Sequence, residues 1–275
     1  MGKCCYCGHD AGLFHSKHDE CERQHNQGLA AIRQIVANCF TAKEDFYLKS
    51  VEMKRVAEAS FIDLNSLKKV YISEFDNAIE RYLDDGIIDV EEERTVARFI
   101  QYSGLSQAEL NVNKSLEKVL QSKVLQDILA GNVPAPRITI GGDFPFMLGK
   151  TEHIVWLYRN ITLHQQKVKK EHVGGSRGVC VRIMKGVYYR TGGFKGHTVE
   201  TSYMQRIGVG SMCMTDKNLL FSCPEKSLKI PYTKILSVET FSNGISIQKD
   251  GANDKPIFLE GVNGWFAYNV IANLK

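Results

Sequence analysis

Proline is scarce in this chain, with six in 275 residues and none before Pro134. Nothing ahead of that position forces a helix to break. No run of about eighteen apolar residues occurs, so no membrane-spanning helix is expected. The first residues carry charge and cysteine rather than an apolar stretch, and no secretory leader is expected either. Several catalytic signatures are also missing. There is no glycine-rich phosphate loop ending in Gly-Lys-Ser/Thr, no His-Glu-x2-His pair and no Gly-x-Ser-x-Gly elbow. No long repeat or low-complexity segment is present.

Cysteine and histidine are concentrated instead. Cys4 and Cys7 form a Cys-x2-Cys pair, and His18 and Cys21 follow after a ten-residue gap. Thiolates and imidazole suit Zn2+, and these four would fill a tetrahedral shell. Cys5 is an alternative to Cys4. Ser16 is a plausible helix start, and His18 and Cys21, three apart, would share one helical face. A filled shell leaves no position for water, so the expected zinc is structural. It would order a compact, basic, histidine-rich module too short for a core of its own. Cys39, Cys180, Cys213 and Cys223 lie among apolar residues and read as buried thiols of a reducing cytoplasm.

Composition is otherwise that of a soluble protein, with 43% apolar and 24% charged residues. The net charge of +4 hides an asymmetry. Residues 41–127 hold 12 Lys/Arg against 17 Asp/Glu, and residues 159–206 hold 10 against 2. Such a split can orient self-assembly or draw nucleic acid to the basic part.

Apolar residues recur at helical spacing over roughly 22–131. Examples are Leu29, Ile32, Ile35, Val36 and Phe40, then Leu64, Leu67, Val70, Tyr71, Phe75, Ile79 and Tyr82. The spacing predicts a bundle of four to six helices. Within it, Asp84 to Glu92 resembles half a calcium loop but lacks two ligands. It reads as a glycine turn with Asp89 as the next N-cap. Residues 132–145 read as a linker. Beyond it the period shortens, and strands are expected near 154–158, 179–183, 211–215, 218–221, 235–239 and after the Asn243-Gly244 turn. A helix is expected over 264–274. The fold class is therefore α+β: zinc finger (1–28), helical domain (29–131), linker (132–145) and a β domain (146–275).

Of eight histidines, four fall between positions 9 and 25. With His18 on the metal, His9, His15 and His25 remain beside Lys17 and Arg23. An imidazole titrating near pH 6.5 can act as acid or base at neutrality. RNA cleavage needs a base for the 2′-hydroxyl, an acid for the leaving oxygen and a cation for the phosphorane charge. His9 and His15 are the candidate base and acid, with His25 in reserve. Lys17 and Arg23 are the candidates for phosphate and RNA contact. The same residues also fit an exposed polar surface with no chemistry. Gly174 to Gly178 could cradle a phosphate. Tyr188, Tyr189 and Phe194 interleave with Lys185, Arg190 and Lys195, a mixture that suits either base stacking or a protein interface.

Met214 to Phe221 followed by Ile230 to Ile235 resembles bacterial pleckstrin-homology-like (PH-like) and GRAM-like domains, and 60–130 is similar to TerB-type helical domains. The whole order resembles the ring-activated zinc-finger ribonucleases of bacterial anti-phage defence. That resemblance implies a cytoplasmic RNase, quiet alone, that becomes active by homo-oligomeric assembly, in a ring or another form, on a ring-forming phage protein such as a portal. Its partners would be RNA and that ring, with no membrane. A non-enzymatic adaptor binding protein partners is a second reading, and a membrane-surface module, which basic residues 159–206 would suit, is a third.

Overall fold

The computed structural model describes residues 2–12, 14–84, 86–134, 144–173, 181–184, 187–189, 197–251 and 254–275, with side chains left aside over 168–201. The Gly174–Gly178 turn, Val179, Cys180, Lys185, Arg190, Phe194, Lys195, Asp85 and most of the expected linker lie outside the described residues. The chain divides into two units, Met1–Ala130 and Gly131–Lys275. The architecture is mixed α and β: helices dominate the first unit and an antiparallel sheet the second. No helix among the described residues is long and apolar enough to cross a membrane.

The first unit opens with a small hairpin, β1 (Gly2–Lys3) and β2 (Asp10–Gly12). Six helices follow: α1 (Asp19–Thr41), α2 (Phe46–Ala59), α3 (Leu64–Tyr82), α4 (Val90–Ser103), α5 (Gln107–Leu110) and α6 (Ser115–Leu129). Side-chain caps set many of their starts. Asp45 accepts from the Tyr47 and Leu48 amides, and Asp63 accepts from Ser66. Asp89 and Glu92 form a capping box, as do Ser106 and Glu109. The acidic run before α4 is thus a turn and a cap. The stripes expected from spacing meet in one core of Ile32, Val36, Phe40, Val70, Phe75, Ile79 and Val96. Phe99 sits at its centre, with the rings of Phe40, Phe46 and Phe75 at 4.9, 5.3 and 5.5 Å.

Gly28 explains how α1 approaches the end of α2. A Cβ there would stand 2.3 Å from both Cβ and Oγ of Ser60. Only hydrogen fits. Gln24 and His25 reach the same corner, donating to or meeting the Ala59 and Ser60 carbonyls at 2.7 and 3.1 Å.

The second unit holds β3 (Ile154–Val173), β4 (Val181–Met184), β5 (Val187–Tyr189), β6 (His197–Thr215), β7 (Asn218–Cys223), β8 (Lys226–Pro231), β9 (Ile235–Phe241), β10 (Gly244–Lys249), β11 (Ile257–Glu260) and α7 (Gly264–Leu274). Seven strands form one curled antiparallel sheet in the order β8-β7-β6-β3-β11-β10-β9. A turn at Tyr232–Lys234 links β8 to β9, and β4 pairs with β5. Trp156 of β3 meets Phe266 of α7 edge to face at 5.2 Å, which ties helix to sheet.

Strand length departs from expectation. The pattern predicts short strands, but β3 and β6 run 20 and 19 residues. β11 pairs with β3 over Thr162 to Gln165, and β7 pairs with β6 over Ser211 to Met214. Lys167 to Val173 then pair with His197 to Tyr203 as a two-stranded ribbon. The sequence over Lys167–Val173 lacks the alternation that marks a half-buried strand, which is why spacing did not reveal this length.

Glu152 ties the start of β3 to its neighbours. Its side chain is 4% exposed. It accepts from the Gly149 amide at 3.0 Å, Thr215 Oγ1 at 2.8 Å, Asn218 Nδ2 at 2.7 Å and Lys229 Nζ at 3.2 Å. Burial alone would raise its pKa, but these four donors outweigh that and hold it at about 2.

Two outcomes are expected. Gly28→Ala gains up to about 1 kcal/mol of helix propensity but meets overpacking of about 1–3 kcal/mol. The clash with Ser60 should win, and thermal unfolding of the variant should begin several degrees lower; an unchanged or raised Tm would show that α1 can move aside. The Glu152 carboxylate stabilises the β unit fully above the ordinary glutamate range, and that contribution is lost as pH falls from about 4.5 toward about 2. Glu152→Gln, which turns an amide toward donors, should cost about 2 kcal/mol at neutral pH and flatten the acid limb. Parallel acid titrations of wild type and variant, followed by circular dichroism, check this.

Candidate metal centre

A segment this short cannot bury a core, and main-chain bonds shape it first. The Gly8 amide donates to the Cys4 carbonyl at 2.9 Å, closing a knuckle, and Gly8 takes a φ of 75°. The Cys4 amide donates to the His9 carbonyl at 2.7 Å, and the Cys5 amide to the Ser16 carbonyl at 2.9 Å. Helix α1 begins two residues later than the sequence suggests. Ser16 stays in the loop, His18 takes the N-cap position and Cys21 falls in the first turn.

The fold brings Cys4, Cys7, His18 and Cys21 together, with their ligand atoms within 4.8 Å of one another. Cys7 Sγ lies 3.4 Å and Cys21 Sγ 3.6 Å from His18 Nδ1. A tetrahedral ion with metal–sulfur and metal–nitrogen bonds of about 2.3 and 2.0 Å sets sulfur–nitrogen edges of about 3.5 Å. The donors therefore fit one ion at their centre. His18 Nε2 sits 3.0 Å from the Asp10 carbonyl. A carbonyl can only accept, so Nε2 carries the hydrogen and Nδ1 keeps its lone pair for the ion. Asp10 thus orients a ligand through its main chain, which no side-chain pattern reveals. Cys4 is the buried member and belongs to the cluster, while Cys5 is exposed, so Cys4 rather than Cys5 is the first candidate ligand.

Electrostatics within the cluster are uneven. Burial would raise the Cys4 thiol, but the Cys7, Tyr6 and His18 amides and the Cys7 side chain outweigh it and bring it to about 6. Burial and the neighbouring Cys7 and Cys4 push Cys21 up to about 11. The Asp10 carbonyl and Cys7 raise His18. Elsewhere, burial pushes Cys39 to about 11 and Cys213 to about 12, so both are unreactive thiols; Cys223 is half-buried.

The remaining site candidates are dispersed. His9 and His15 are exposed. Lys17 pairs with Glu22 and Arg23 with Glu20, the latter at 3.1 Å. The hydrogen bond that Lys17 donates to Glu22 raises the Lys17 pKa. His25 is bound to the Ser60 carbonyl, and its ring lies 4.7 Å from Tyr6. It joins the knuckle to the helical unit. The module is also less cationic than expected. Lys3, Lys17 and Arg23 face Asp10, Asp19, Glu20 and Glu22, and three of those acids stabilise the N-terminus of α1. Sequence reading missed Phe14, which is fully exposed at a φ of 70°, a conformation rare for an aromatic residue. It also missed Tyr6, although its place inside the Cys-x2-Cys pair was a usable signal.

No family model, no curated protein and no solved structure matches the chain.

Removal of the ion by a strong chelator, or Cys21→Ala, should eliminate bound metal and hydrogen-exchange protection over residues 2–18. The core amides of α3 and α4 should stay protected. Full metal content in Cys21→Ala, measured by elemental analysis, would remove Cys21 from the shell.

Proposed function

We propose that the chain is a cytoplasmic defence effector in which a zinc-ordered N-terminal module cleaves RNA after assembly on a ring-forming phage protein such as a portal. The observation that carries this reading is the four-ligand cluster, which leaves His9 and His15 exposed on the module it orders. The metal is zinc, one per chain, because three thiolates and one imidazole in tetrahedral array suit it. With all four positions taken by protein, its role is structural.

The chemistry then belongs to side chains. One of His9 and His15 takes the 2′-hydroxyl proton while that oxygen attacks the adjacent phosphorus. The other protonates the departing 5′-oxygen, leaving a cyclic phosphate and a new hydroxyl. Lys17 and Arg23 contact phosphate once they exchange Glu22 and Glu20 for RNA. That exchange gives the protein a resting state, because in the single chain both cations are already paired. Assembly would multiply weak RNA contacts through avidity. The second unit is read as a PH-like barrel serving recognition and self-assembly. Seven antiparallel strands with a closing helix, in the order described, support that reading. The 41–127 acidic and 159–206 basic segments suit head-to-tail contacts between copies.

A second reading is favoured by those same ion pairs: a non-enzymatic adaptor in which both units bind protein. Incubation of total RNA with purified protein, alone and with portal rings, separates the two. Ring-dependent cleavage is expected, with His15→Ala losing it by about a hundredfold or more while zinc stays at one per chain. Full cleavage by His15→Ala would remove that residue from the chemistry. No cleavage with any assembled ring, in folded and metal-loaded protein, would favour the adaptor.

A further inference from the structure

An open cavity of about 510 Å3 lies on the helical unit, lined by Ala37 of α1, by Glu74, Asn77, Glu80 and Arg81 of α3, and by Asp84 just beyond. Glu74 is only 7% exposed. Its one hydrogen bond among the described residues is long, from the Asn77 amide to Oε1 at 3.4 Å. Oε2 accepts none. Arg81 does not neutralise it, since its Nε donates to the Asn77 carbonyl at 3.3 Å and no ion pair joins the two side chains among the described residues. A carboxylate so buried and so poorly bonded is costly unless a cation reaches it. Asp84 stands exposed near the mouth. Glu80, also exposed, is shared with Lys118 at 3.7 Å.

We propose that this cavity binds an extended organic cation, a guanidinium or ammonium on an aliphatic stem, with Glu74 at its base and Asp84 and Glu80 at its mouth. A metal ion fits the site poorly. The one group of three or more metal-type ligands found among the described residues is the N-terminal cluster, so these carboxylates do not converge on a point. The volume suits a chain rather than a bare ion, and the Ala37 methyl gives the stem an apolar wall. The site stands apart from the RNA chemistry and does not depend on it.

Calorimetric titration of the full metal-loaded chain tests this with three probes: agmatine, spermidine and N-acetylarginine amide. Saturable one-to-one binding is expected for at least one. Tightest binding of the arginine amide would name a protein side chain as the source, and tightest binding of agmatine or spermidine a free polyamine; either supports the site. Glu74→Gln should weaken binding about tenfold or more. The double variant Glu80→Gln and Asp84→Asn should weaken it by a few-fold, and it carries the test if Glu74→Gln does not fold. The proposal is overturned if no probe saturates at millimolar concentration, if the variants bind like wild type, or if Mg2+ or Ca2+ occupies the site in place of the probes.

Discussion

Four side chains gathered closely enough to share one ion are the constraint on which the front of this protein depends. Strands of two and three residues cannot bury enough apolar surface to offset the entropy of ordering a loop of this length. A metal supplies that order from a handful of contacts. The knuckle turn at Gly8 and the hydrogen bond from His18 Nε2 to the Asp10 carbonyl aim the donors at a common centre. The histidines that do not bind metal owe their positions to this frame.

The module is anchored to the helical unit by packing that leaves little freedom. Tyr6 lies against His25, whose imidazole meets the Ser60 carbonyl, and Gly28 lets α1 close on the same corner. Cys21 and His25 sit four residues apart at the start of one helix, so the metal shell and the anchor share an element. Displacement of the corner at Ser60 would therefore be felt one turn away at a ligand. In the second unit Glu152 plays a comparable part, gathering donors from the segment before β3, from β6, from β7 and from β8 around one buried charge.

Charge pairing gives the module its chemical character. Lys17 and Arg23 would each be free cations if judged by residue type, yet each has an acidic partner close by on α1. Exposed pairs of this kind are weak, about 0–1 kcal/mol, and a polyanion can compete for them. The same principle applies in reverse at Glu74, where the carboxylate is buried and no cation of the described chain reaches it.

The sequence by itself marked the candidate ligands, with Cys5 open beside Cys4, together with the helical stripes and the position of the closing helix. Each of these follows from local spacing: ligand chemistry tolerates few residue types, and a helix repeats its buried face every three to four residues. It also marked Asp89 as a cap, because capping needs only a carboxylate and a neighbouring amide. Tertiary structure alone decided that His25 anchors rather than faces solvent and that β3 and β6 continue past their sheet. It also decided that Glu74 is buried without a cation. Those outcomes depend on which atoms arrive from distant parts of the chain, at Ser60, Asp10 or Gly149, and main-chain groups there carry no residue-type signal to read.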